Sequence, residues 1–130
     1  MPRAYTVATA ALALRTSPKW IDNALSHHTV ANLTQGRQGV PRRLGIEVLL
    51  VLAIALLLTG ELGTTLVPAI RIAEELARAQ GAFRSPAGLT IQLDLDTLRM
   101  TLLSRLEEAV EVAPLPRRGR PPKNTTGRLD

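Results

Sequence analysis

The run Tyr5-Thr-Val-Ala-Thr-Ala-Ala-Leu-Ala-Leu14, the break Arg15-Thr-Ser17 and the run Pro18-Lys-Trp-Ile-Asp-Asn-Ala-Leu25 decide how this chain folds. Thr6 stands where an N-cap hydroxyl belongs, and Val7, Ala10, Ala11 and Leu14 recur at helical spacing, so the first run predicts a short helix. Ser17 caps a second helix whose first residue is Pro18, where the missing N–H costs least, and which runs to about Ser26. Two short helices joined by a three-residue turn result. Within them Ala11 is small enough for close helix approach, and Ile21, ten residues on, is the core anchor of the second helix, with Trp20 or Leu25 packed beside it.

Composition agrees with a helical domain. The 130 residues are 45% apolar, enough for a core, yet only Tyr5, Trp20 and Phe83 are aromatic, so the interior must be built from Leu, Ala, Val and Ile. No cysteine is present, which excludes disulfides and thiolate metal sites and fits a reducing, cytoplasmic compartment. Lys19 and Lys123 are the only lysines among 16 basic residues, a usage that suggests a GC-rich bacterial genome. Charge is partitioned along the chain. Residues 1–43 carry six basic groups against Asp22 (+5), residues 44–113 carry five against nine acidic (−4), and residues 114–130 carry five against Asp130 (+4). Basic ends around an acidic middle suit a polyanion binder, because each neutralised phosphate releases counterions.

Beyond the helix pair, His28–Gln35 and Val40–Leu44 can pair as a hairpin around Gly36 to Gly39, carrying Arg37 at its tip and Arg42 and Arg43 on its return strand. A third helix from about Ile46 to Thr59, ended by Gly60, is apolar almost all round and must be buried on several sides. Thr64 or Thr65 caps a fourth, which tolerates Pro68 in its first turn, buries Leu66, Ile70, Ala73 and Ala77, and exposes the pairs Arg71/Glu75 and Glu74/Arg78. After a loop from Gly81 to Gly88, alternation at Leu89, Ile91, Leu93 and Leu95 predicts a strand, and Asp96 caps a fifth helix with the stripe Leu98, Leu102, Leu106 and Val110. That strand and helix each have one apolar face and little else to cover it, so residues 89–112 are expected to form a homodimer.

Two segments imitate membrane or export signals. Val48–Leu58 is eleven consecutive apolar residues, about 16 Å as a helix and about half a bilayer core. Extension to Ile70 encloses Gly60, Glu61, Gly63 and Pro68, yet a small membrane protein anchored by residues 48–70 remains an alternative reading. Arg3 followed by Ala4–Leu14 resembles a signal peptide, but Thr6 and Thr9 interrupt it. The adjacent His27 and His28 lack a third ligand nearby and read as the end of a helix, and Asp94 and Asp96 as a solvent-facing strand edge with one helix cap. No nucleophile, base and orienting group converge in the sequence, and no cradle for a phosphate is present, so no enzyme activity, cofactor or metal is expected.

Tyr5-Thr-Val with its Ala-rich helix, Leu14 before the turn, Ser17-Pro-Lys, then Gly39-Val-Pro-Arg-Arg43 leading into an apolar helix, and Thr59-Gly-Glu-Leu-Gly63, resemble the mercury-resistance-regulator (MerR-like) winged helix-turn-helix over residues 5–78. The resemblance implies a mainly α fold: a winged helix-turn-helix DNA-binding domain with a small β-hairpin wing (1–80), a strand-helix dimerisation or packing segment (81–113) and a disordered basic tail (114–130). The expected function is that of a sequence-specific binder of double-stranded DNA, a nucleoid-associated bacterial transcriptional regulator. An excisionase-like architectural DNA-bending factor is the alternative. Ser17, Lys19 and Asn23 would face the major groove, and Arg37, Arg42 and Arg43 the phosphates or the minor groove. The family's usual turn glycine is Arg15 here, and its usual aromatic after the wing arginines is Leu44. The long coiled coil and effector cysteines are missing, so no effector is carried over.

The tail segment Pro116-Arg117-Arg118-Gly119-Arg120-Pro-Pro-Lys123 resembles an AT-hook, in which Gly119 lets the backbone approach the groove floor and flanking arginines enter a narrow A·T minor groove. Replacing Arg118 and Arg120 together by Ala is expected to weaken DNA binding most at sites with A·T flanks and to reduce the log affinity against log salt slope by about 1.8. Binding of intact and doubly substituted protein to one core site with A·T or G·C flanks checks this. An equal loss with both flanks leaves only an electrostatic tail.

Overall fold

A computed structural model describes residues 4–27 and 43–112, and the chain is mainly helical, with five helices and two two-stranded sheets among those residues. The order is β1 (Ala4–Tyr5), α1 (Val7–Leu14), α2 (Pro18–Leu25), β2 (Leu44–Gly45), α3 (Ile46–Leu62), α4 (Leu66–Arg78), β3 (Ala82–Arg84), β4 (Thr90–Gln92) and α5 (Leu95–Val112).

Local chemistry sets the first two helices as the sequence predicts. Thr6 Oγ1 accepts from the Thr9 N–H (3.1 Å) and Ser17 Oγ from the Trp20 N–H (3.0 Å), each satisfying a donor that the first helical turn leaves open. Arg15 closes α1 in the left-handed conformation (φ 60°, ψ 46°), which lets the Thr16 N–H donate to the Ala11 carbonyl at 3.0 Å. A side chain there pays the left-handed penalty that glycine avoids. Tyr5 pairs with Leu44 and Ala4 with Gly45, so the chain that leaves α2 returns beside the start of α1. The expected hairpin partner of Leu44, within residues 28–35, lies outside the described residues.

The helix α3 is the centre of the core. Leu49, Leu50, Leu52 and Ile54 are fully buried around its circumference, with α4 along one side and α5 and β2 on others. It continues past Gly60, where a side chain would point into open space, and ends at the left-handed Gly63 (φ 70°), whose N–H donates to the Thr59 carbonyl. Residues 48–70 are therefore two helices, and no helix among the described residues is long and apolar enough to cross a membrane. That removes the continuous anchor on which the membrane alternative rested. In α4, Thr65 is the N-cap and Ala69, Ile70, Ala73 and Leu76 are buried, while Arg78 pairs with Glu75 one turn back.

The C-terminal part departs from expectation. The alternating segment is a strand only over Thr90–Gln92 and pairs with Ala82–Arg84, in what the sequence presented as a loop, with Phe83 opposite Ile91. Gly81 sets the hairpin at φ 98°. A Cβ there would collide with the Leu93 carbonyl oxygen, and the Gly81 carbonyl accepts from the Leu93 N–H at 2.8 Å. Asp94, not Asp96, caps α5. Its carboxylate accepts from the Thr97 hydroxyl (2.8 Å) and the Thr97 N–H (3.1 Å), and these two bonds hold its pKa below the ordinary carboxylate value. The cap is thus fully formed above the ordinary carboxylate pKa and is lost as pH falls through the lowered one. Asp96 sits in the first helical turn, so the two carboxylates do not share a strand edge.

The stripe of α5 is Leu95, Leu102, Leu106 and Ala109, buried against α1 and α3, with Leu98 half-buried and Val110 exposed instead of buried. Arg99 ties α5 to the first turn of α3 through Glu47 (3.3 Å). The face that was expected to need a partner copy is thus largely covered within the chain, leaving Leu89, Met100, Leu103 and Val110 exposed.

Two backbone positions carry opposite expectations. Arg15→Gly should stabilise the fold by about 1 kcal/mol, a rise of about 4–8 °C in Tm. Gly81→Ala should destabilise it by more than about 2 kcal/mol, since both strain and collision are added. Denaturant titration of the three proteins checks both signs.

Candidate nucleic-acid interface

The exposed face of α2 is built by the same features that bury its other side. Ile21 and Ala24 are fully buried and Leu25 nearly so, placing Ser17, Lys19, Asp22 and Asn23 outward at the intervening positions. With Ser26 and the half-buried Trp20 they line one shallow, open depression on the surface. Ser26 Oγ donates to the Asn23 carbonyl (2.6 Å), satisfying one of the acceptors that the last helical turn leaves open.

Ser17, Lys19 and Asn23 are therefore brought together, as the spacing predicts, and Ser17 is in addition the helix cap. Leu25 is buried in the core with Ile21, and Trp20, half-buried, packs against that core while also bordering the surface depression. Its placement was open in the sequence, because position 20 lies on the boundary between the buried and outward arcs of the helix. Arg15 is exposed at the turn between α1 and α2, at the position where the resemblance implies a glycine. Arg43 is exposed immediately before β2. Arg37 and Arg42, and Arg117, Arg118, Gly119, Arg120 and Lys123 of the tail, lie outside the described residues.

The face combines donors with one carboxylate, Asp22, and their backbone positions are set by a capped helix. Lys19 can donate to guanine acceptors and the Asn23 amide can pair with an adenine edge. Among the described residues no group of three or more His, Asp or Glu side chains is placed to hold a metal ion. In comparison with known proteins, no family model, no curated protein and no solved structure matches the chain.

Proposed function

We propose that this protein binds duplex DNA sequence-specifically through a MerR-like winged helix-turn-helix and acts as a transcriptional regulator. The observation that carries the reading is the arrangement of α1 and α2: a three-residue turn with a left-handed residue at its start, a buried Ala11 and Ile21 between the helices, and polar Ser17, Lys19 and Asn23 outward on the second. In this reading α2 enters the major groove with its N-terminal turn nearest the bases. The pairing of β1 with β2 supports it further, because it sets Leu44 and Gly45, and with them the exposed Arg43, beside the start of α1; a wing bearing Arg37, Arg42 and Arg43 would reach the phosphates from there. The basic tail adds a tethered second contact, whose effect on affinity is set by its effective concentration at the site.

Dimerisation through residues 89–112, a further part of this reading, would rest on the exposed Met100, Leu103 and Val110 of α5, spaced along one side of the helix, and not on the stripe already covered by α1.

Selection of bound sites from random duplex DNA tests the proposal directly. Lys19→Ala and Asn23→Ala should each weaken binding to the selected site by about 1–3 kcal/mol and relax selectivity at one position, with the fold unchanged. Unchanged selectivity in both variants would remove α2 from base recognition, and failure to enrich any site would remove sequence-specific DNA binding.

A further inference from the structure

We propose that the cleft between α1, α3 and α5 is a binding site for a small monocarboxylic acid with a compact apolar body. The inference stands apart from DNA binding and uses none of the residues on the α2 face. The cleft has a volume of about 190 Å³, more than a roughly 150 Å³ apolar cavity that accepts benzene. It exists because Ala13 of α1 and Ala53 of α3 stop at Cβ where the three helices meet, while Leu56, Leu57 and Leu98 wall the space around them.

Two polar side chains break this apolar lining, and both come from one face of α5. Thr101 is exposed and Arg105, one turn on, is half-buried, so they mark the opening of the cleft. Arg105 takes part in neither the pair Arg78–Glu75 nor the pair Arg99–Glu47. A partly desolvated guanidinium with no carboxylate partner among the described residues, beside an apolar cleft, is complementary to a ligand with a carboxylate at one end and a hydrocarbon body at the other. The Thr101 hydroxyl supplies a second donor to the same carboxylate. A body of about one ring or a short branched chain matches the size of the cleft.

Benzoate is the direct probe, with benzyl alcohol as its uncharged counterpart, each titrated into the full chain while backbone amide resonances are followed. Benzoate should shift the amides around Ala13, Ala53 and Thr101 with saturation in about the millimolar range, and benzyl alcohol should bind at least tenfold more weakly. Arg105→Gln should weaken benzoate at least tenfold and leave benzyl alcohol unchanged. Ala53→Leu, which fills the cleft, should weaken both. Should the Ala53 variant fail to fold, the Arg105 variant and the two ligands decide the matter. The proposal is overturned if no saturable shift appears at the cleft, if benzoate perturbs only the Lys19 face, or if Arg105→Gln binds benzoate as well as the original protein. Because the readout contains no DNA, its failure and the failure of DNA binding are distinguishable.

Discussion

Everything in this fold is arranged around the need to cover α3. A helix that is apolar on all sides is stable in water only when surrounded, and seventeen residues from Ile46 to Leu62 include just one basic or acidic group near each end, Glu47 and Glu61. The cover comes from the helices that follow it. α4 lies along it after a turn short enough to force antiparallel packing, and α5 returns across it to meet α1. A single connected core therefore runs from Tyr5 to Ala109. Over the eleven apolar residues Val48–Leu58 the requirement is met by the chain's own core, which supplies their apolar surroundings.

What the sequence discloses and what it conceals divide by the range of the interaction. Thr6, Ser17 and Pro18 act on neighbours three residues away, so the starts of α1 and α2 were legible from residue type alone. Gly60 was misleading because a glycine in an exposed helical position costs only about 1 kcal/mol, which the packing of α3 outweighs; the stop is at Gly63, where the left-handed conformation is used. Asp94 and Asp96 are both plausible caps two residues apart, and the bonds to Thr97 choose between them.

The hairpin was concealed for a different reason. Ala82–Arg84 is too short to show a period, and its strand character comes from pairing with Thr90–Gln92 across the turn. Likewise, the stripe of α5 was visible, but the identity of its cover was not. Nothing in Leu102 or Leu106 says whether α1 of the same chain or a second copy will bury them. In the candidate interface, the outward positions of α2 followed from helical geometry once Ile21 was placed inside, whereas the half-buried position of Trp20 depends on surroundings contributed by distant residues.

The position of α1 has a mechanical consequence. One of its faces meets α2 and another meets α5, and its last turn, Ala13 and Leu14, both lines the cleft and leads into the strained turn at Arg15. Packed interiors transmit small displacements because they have few voids to absorb them, but here a cleft lies against a helix that packs on both α2 and α5. A change in how that cleft is filled acts on α1 first, and through the three-residue turn on the direction in which α2 presents Lys19 and Asn23. A ligand in the cleft would alter the outward face only if it bound the two orientations of α1 with different affinity. The left-handed Arg15 is the natural place for such a difference to be expressed, since its backbone occupies the less stable left-handed well, held there by the bond from the Thr16 N–H to the Ala11 carbonyl that ends α1.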